Sequence, residues 1–147
     1  MRILAVDPGT KHIGLAISDP AGSIANPLLI VKHTVRQEDA LAVLEQVKKY
    51  HVELIVVGQS LDDSGNPTYE GRRSSRFAKE LQRLSDIKVV LVDEGFSTIQ
   101  ARQARIDMNV RRKKRSGHMD DLAATIILQA YLDIRSENLG NHDRDPR

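Results

Sequence analysis

The chain has 147 residues, a formal net charge of +2 and no cysteine. This length predicts one compact domain, and contents of 40% hydrophobic and 29% charged residues exclude a disordered or fibrous chain. The lack of cysteine excludes disulfides and thiolate metal ligands, so any metal must be held by oxygen or imidazole. Neither a secretory signal nor an apolar run of membrane-spanning length is present. We therefore expect a cytoplasmic protein with no membrane partner.

The first third of the chain predicts three strands and a helix. Residues 2–7 and His12–Ser18 are short apolar runs joined by turn residues, which indicates a hairpin. Residues 24–34 form a third run, interrupted by Pro27, and predict a strand with an irregular start. Residues 36–50 carry apolar side chains at helical spacing and contain neither Gly nor Pro, which predicts an amphipathic helix.

The rest of the chain alternates between strands and helices. The predicted elements are a buried strand over 53–58, a loop over 59–68, a helix over 71–85, a strand over 88–93, a helix from about 97 onward and a last helix over 119–135. Three strands followed by alternating helices and strands predict an α/β domain, with a mixed sheet covered by helices on both faces. We expect residues 1–135 to form this single domain and residues 136–147 to form a flexible polar tail.

Positive charge is concentrated near the C-terminal end of the predicted domain. Residues 100–117 contain seven basic side chains against the single acid Asp107, about +6 in net charge, which leaves about −4 for the remainder. A local excess of this kind favours an anionic partner such as nucleic acid. The alternative is a solvated loop.

Two acids follow buried strands and suggest a cation site. Asp7 ends the first strand and Glu94 follows the last one, so both should lie at the edge where α/β sheets bind ligands. Carboxylates placed in this way suit a hard cation. Each acid also has an ordinary structural explanation, because acids serve as turn and N-cap residues.

The third acid is Asp120 or Asp121, at the start of the last predicted helix. The apolar stripe that continues from Asp120 contains Ala123, Ala124, Ile127, Tyr131 and Ile134. The stripe that continues from Asp121 contains Thr125, Leu128 and Leu132. The more continuous stripe favours Asp120, and small alanines beside it would let the helix approach the sheet closely. The helix dipole alone also favours an acid in this first turn.

Three converging carboxylates suit Mg²⁺ or Mn²⁺. Two such ions about 4 Å apart can activate a water molecule and stabilise a leaving phosphate oxygen. The sequence therefore predicts phosphodiester hydrolysis with a two-metal site. The residues expected to contact nucleic acid are basic: Lys11, Arg72, Arg73, Arg76, Arg102, Arg105, Arg111, Arg112, Lys113, Lys114 and Arg115. Two Phe, three Tyr and no Trp argue against a base-stacking platform and favour recognition of backbone and shape.

Four blocks of sequence resemble the YqgF/RuvX family of small bacterial ribonuclease H-like proteins. They are LAVDPGTKHIGLAISD at 4–19, VVGQSLDDSGNPTYEGRRSSRFAKEL at 56–81, VDEGFSTIQA at 92–101 and MDDLAATIILQAYLD at 119–133. The resemblance implies a five-stranded sheet of order 3-2-1-4-5 whose first three strands are antiparallel, and it places the family's catalytic acids on Asp7, Glu94 and Asp120. One strand would then separate Asp7 from Glu94, about 10 Å between backbones. Gly95 departs from the family's usual arginine, for which Arg102 or Lys11 would have to substitute.

The resemblance also implies a function. We expect a metal-dependent endonuclease that processes the 5′ end of precursor 16S rRNA in ribosome biogenesis, with a ribosomal particle as a further partner. The alternative is a Holliday junction resolvase of DNA recombination and repair, which would need a dimer with two matched sites. The sequence leaves monomer or homodimer open. A hypothesis of another class is a non-catalytic RNA-binding module, which metal-dependent cleavage would exclude.

Overall fold

The fold is defined by a computed structural model, which describes residues 1–95 and 120–143. The strands in these residues are β1 (Ile3–Pro8), β2 (His12–Ser18), β3 (Ala25–Lys32), β4 (Leu54–Gln59) and β5 (Lys88–Asp93). The helices are α1 (Arg36–Tyr50), α2 (Tyr69–Leu84) and α3 (Asp120–Asp143). The helix expected from about residue 97 and the basic stretch at residues 100–117, called here the basic segment, lie outside the described residues. No helix in the described ranges is long and apolar enough to cross a membrane.

The five strands form one mixed sheet in the order β3-β2-β1-β4-β5. β2 pairs antiparallel with both β1 and β3, whereas β4 lies parallel to both β1 and β5. The predicted strand order is therefore confirmed. Because β1, β4 and β5 run in the same direction, their C-terminal ends lie at one edge of the sheet, called here the carboxyl edge.

Side chains alternate between two cores on opposite faces of the sheet. On β1, Leu4 and Val6 belong to a cluster with α1 and α2, whereas Ile3 and Ala5 belong to a second cluster with α3. All four are fully buried. Helices thus cover both faces, as predicted, and a residue's place in a strand decides which helices it meets.

The predicted bounds of β2, α1 and β5 are confirmed, and those of β1, β3, β4 and α2 differ by one or two residues. The predicted end of the last helix at residue 135 is wrong, because α3 continues to Asp143 and residues 136–143 are helical. Ile134 is already 49% exposed. Residues 136–138 are exposed as well, so hydrophobic periodicity does not detect this part of the helix.

The start of α2 is attached to the end of β4. The Thr68 hydroxyl accepts a hydrogen bond from the Gly71 amide at 3.1 Å and donates one to the Ser60 carbonyl at 3.3 Å. The Gln59 side-chain amide donates to the Gly71 carbonyl at 3.1 Å. These bonds fix the first turn of α2, and the arginines it carries, at the carboxyl edge.

We expect Thr68→Ala to lower the free energy of unfolding by about 1 kcal/mol, because it removes the N-cap of α2. Urea unfolding followed by circular dichroism measures the effect. Ser64→Ala is the matched control, since Ser64 lies exposed in the same connection. Equal stabilities of the two variants would contradict the capping role of Thr68.

Candidate active site

Asp7 lies near the end of β1 on the face that α3 covers. It alternates with Ile3 and Ala5, which belong to the α3 core, and its carboxylate is half-buried. On β2 its partner is Gly14. On β4 the parallel register, with Val6 beside Val57, brings Gly58 beside Asp7. Glycines therefore flank Asp7 on both neighbouring strands.

Glu94 follows β5 and turns back over β4. Its amide donates to the Gln59 carbonyl at 3.1 Å, which ties the end of β5 to the end of β4. Its Oε2 atom lies 3.4 Å from the point that a Cβ atom on Gly58 would occupy. The Glu94 carboxylate thus lies on the α3 face beside Gly58. The structure brings Asp7 and Glu94 together around one glycine, while their catalytic role stays a prediction.

Gly58 is a site residue that the sequence analysis did not identify. A Cβ atom at this position would lie 2.6 Å from the Ile127 Cδ1 atom of α3, closer than two carbon atoms can approach. The absent side chain therefore lets α3 pack directly above β4, next to the Glu94 carboxylate. The only sequence signal was a glycine at the end of an aliphatic strand. Such a glycine marks a close approach of another group but does not show which group approaches.

Asp120 is the first residue of α3. It precedes Ile127, the α3 residue that a Cβ atom on Gly58 would meet, by about two helical turns. Burial does not separate the two candidate stripes. On the first, Ala124 and Ile127 are buried. On the second, Thr125, Leu128 and Leu132 are buried. The choice of Asp120 over Asp121 stays a prediction.

Other acids of the same motifs have structural partners. The Ser23 and Ile24 amides donate to Asp19 and hold its pKa below the ordinary value. Asp19 follows β2 and so lies at the edge opposite Asp7. Asp93 accepts a hydrogen bond from the Gly95 amide at 2.8 Å. These two acids stabilise turns.

Several of the predicted cations lie at the carboxyl edge. Lys11 is exposed in the β1–β2 turn, where Gly9 is required because its Cβ would lie 2.3 Å from the His12 carbonyl oxygen. Arg73 donates to the Gly9 carbonyl at 3.4 Å and pairs with Glu70 at 3.3 Å. These contacts bring α2 against the turn that follows Asp7.

Arg72 and Arg76 lie exposed on α2. Arg72 lies over the Tyr69 ring at 5.8 Å from its centroid and donates to the Pro67 carbonyl at 3.4 Å. The remaining predicted cations, at 102, 105 and 111–115, lie outside the described residues.

The donor atoms at the acid pair fit a hard cation in part. Carboxylate oxygens are the ligands that Mg²⁺ and Mn²⁺ prefer, and the glycines around Asp7 leave space beside its carboxylate. Among the side chains that the structure describes, no group of three His, Cys, Asp or Glu is close enough together to hold a metal ion. Asp7 and Glu94 are thus two candidate ligands of an oxygen site, and the third predicted ligand, Asp120, is described by its backbone alone.

Comparison with known proteins agrees with the fold and with the four sequence blocks. The RuvX family model, described as Holliday junction resolvase, matches residues 1–134. This chain belongs to the RuvX family. A protein of Caldanaerobacter subterraneus subsp. tengcongensis named "Putative pre-16S rRNA nuclease" is 41% identical over 139 residues, which cover 94% of this chain and all of that protein. A Bacillus cytotoxicus relative of the same name is also 41% identical, over 92% of this chain and all of its own length.

Solved structures confirm the ribonuclease H-like fold of this RuvX family member. Thermus thermophilus RuvC aligns with a TM-score of 0.60 at 17% identity, covering 93% of this chain and 97% of that chain. Fowlpox virus resolvase in complex with Holliday junction DNA aligns with a TM-score of 0.53 at 19% identity, covering 90% and 97%. At these identities the likeness shows the fold alone.

We expect Gly58→Ala to lower the free energy of unfolding by about 1 to 3 kcal/mol, because the added methyl group overlaps Ile127. Ile127→Val removes the overlapping Cδ1 atom and by itself costs about 0.5 to 1.5 kcal/mol. The double variant should therefore be more stable than the sum of the two losses predicts. Urea unfolding of the four proteins measures this coupling, and strictly additive losses would contradict the close approach of α3 to Gly58.

Proposed function

We propose that this protein is a nuclease that uses Mg²⁺ or Mn²⁺ to hydrolyse phosphodiester bonds within structured nucleic acid, and that it processes the 5′ end of precursor 16S rRNA in the cytoplasm. The observation that carries the proposal is the approach of the Glu94 carboxylate to Gly58, next to Asp7. Two carboxylates on one face of a sheet edge suit a metal-assisted hydrolase. Membership of the RuvX family supports a nuclease.

Asp7, Glu94 and Asp120 would hold the metal ions in this proposal. When bound, the ions supply positive charge at the scissile phosphate and lower the pKa of a water molecule. The protein's own contribution is to fix the positions of the groups that would bind the metal ions and the substrate. Asp7 lies on a central strand whose neighbours are buried, so its carboxylate is held before substrate arrives. Lys11 and the start of α2 would orient the phosphate backbone at the same edge.

The names of the relatives favour RNA as the substrate, since both proteins compared above are named for pre-16S rRNA. A ribosomal particle is then the natural partner. The second candidate is resolution of four-way DNA junctions. The description of the family model favours it, as does a solved relative of the same fold in complex with a Holliday junction. A junction resolvase would act as a homodimer, because a junction presents two symmetric cleavage points.

We expect Asp7→Asn to slow cleavage about a hundredfold or more while leaving nucleic-acid binding nearly unchanged. The substitution removes a charged ligand worth several kcal/mol at the transition state and keeps the side-chain volume. Asp86→Asn is the matched control, because Asp86 is exposed before β5, at the other edge of the sheet. The assay compares a precursor rRNA leader with a four-way DNA junction, each with Mg²⁺ and with Mn²⁺.

The outcomes separate the hypotheses. Faster cleavage of the leader supports rRNA processing, and faster cleavage of the junction supports the resolvase. Binding without cleavage by the wild-type protein, with either metal, would support the non-catalytic RNA-binding module. Cleavage by Asp7→Asn at the wild-type rate would remove Asp7 from the mechanism. In the same assay, loss of activity in Asp121→Asn alone, and not in Asp120→Asn, would move the third ligand by one residue.

A further inference from the structure

A cleft of about 280 Å³ opens at the carboxyl edge, on the face of the sheet opposite to the acid pair. Its floor contains the apolar side chains of Ile13 and Phe77, which are almost fully buried, and the exposed side chain of Val35. Its wall includes His33, Arg36 and Arg73. It begins at Pro8, the residue after Asp7. Successive strand residues face opposite sides of a sheet. Asp7 therefore faces the acid pair's side of the sheet, whereas the next residue, Pro8, lines the cleft on the other side.

The charges around the cleft favour an anionic ligand. Of the nearby acids, Asp39 and Glu70 have partners of their own, and Glu38, in the first turn of α1, is exposed to solvent. Asp39 is buried and accepts hydrogen bonds from His33 and from the amide and hydroxyl of Thr34. Glu70 pairs with Arg73. These partners offset the negative charges of Asp39 and Glu70, so the arginine at the mouth of the cleft can interact with an anionic ligand.

Arg36 is that arginine. It is exposed at the first residue of α1, and among the described residues no acid forms a direct ion pair with it. Glu80, which Arg36 approaches, is already paired with Arg83 at 2.6 Å. No side chain caps the N-terminus of α1 at Val35, so the first amides of that helix add positive potential beside Arg36.

Arg73 faces the cleft from the other helix. Its contacts with Gly9 and Glu70 are long, at 3.4 and 3.3 Å, and Glu70 is 53% exposed. Exposed ion pairs of this kind contribute little and are screened by salt. A planar guanidinium has five donors, so it can add a bidentate phosphate contact to those it already makes.

We propose that this cleft binds one nucleotide of the substrate strand, with the phosphate between Arg36 and Arg73 and the base or sugar against the exposed apolar side chain of Val35. The mixture of an apolar floor and a cationic rim fits a nucleotide better than a lone phosphate. The strand would pass over the β1–β2 turn from the acid pair to the cleft. The proposal deepens the proposed function, because it names where the strand continues beyond the cleaved bond.

The test uses the full chain in EDTA, so that binding is measured without cleavage. Single-stranded RNA is titrated across a salt series against wild type, Arg36→Gln, Arg73→Gln and the control Lys48→Gln, which removes a charge from the last turn of α1. Each phosphate contact on a single strand adds about 0.7 to the slope of log affinity against log salt. We expect Arg36→Gln and Arg73→Gln each to lower the slope by about 0.7, and Lys48→Gln to match the wild type.

A second arm titrates uridine 5′-monophosphate and follows the backbone amides by NMR. Shifts at Gly9, Thr34 and Arg36, together with flattened salt slopes, support the proposal. Shifts with unchanged slopes would mean a site for free nucleotide and would overturn the strand path, and unchanged spectra and slopes would overturn the cleft itself. Cleavage is assayed separately with metal present. A protein that binds as expected but never cleaves would contradict the nuclease proposal while leaving this one standing.

Discussion

The arrangement of the site depends on what is missing beside Asp7. Gly14 and Gly58 flank it on the adjoining strands, so the sheet has no side chains there to separate the carboxylate from α3 or from Glu94. A Cβ atom on Gly58 would lie only 2.6 Å from the Ile127 Cδ1 atom, so the helix occupies the space that a side chain would need. Close packing of this kind leaves little room for adjustment. The positions of Asp7 and Glu94 therefore depend on the glycines that let α3 and Glu94 come close to β4, as well as on the acids themselves.

The same edge serves both faces of the sheet. Asp7 faces α3, and the next residue, Pro8, lines the cleft between the sheet and the helices α1 and α2. Gln59 links the two sides, since its carbonyl accepts from the Glu94 amide while its side chain donates to Gly71 and Ser75 of α2. The end of β4 thus sets the position of an acid on one face and of arginine-bearing α2 on the other. A nuclease that holds a strand on both sides of the cleaved bond would need such a common anchor.

Most of the fold could be predicted from the sequence because its signals are local. Alternating or continuous apolar runs predicted the strands, and helical periodicity predicted α1 with its observed bounds. The resemblance to a known family supplied the strand order. Local patterns failed where packing stops controlling the sequence, as at residues 136–138 of α3, which are helical but exposed.

The site was only partly predictable for a different reason. Asp7 and Glu94 were identified because each stands at the end of a buried strand, which is a local signal. The space between these two acids could not be predicted, because the close approach of Ile127 and Glu94 to Gly58 joins residues far apart in sequence. Nor did the charge pattern indicate Arg36, which stands outside the basic segment and is placed near Arg73 only by the packing of α1 and α2 on one face.

The central claim is that Asp7 and Glu94 act as one metal site across Gly58. The most direct measurement is the affinity for Mn²⁺, by calorimetry, of wild type, Asp7→Asn, Glu94→Gln and the double variant. If the carboxylates share an ion, each single change should weaken binding about tenfold or more, and the double variant should lose little further. Losses that simply add, or a single variant that binds as tightly as the wild type, would contradict a shared site.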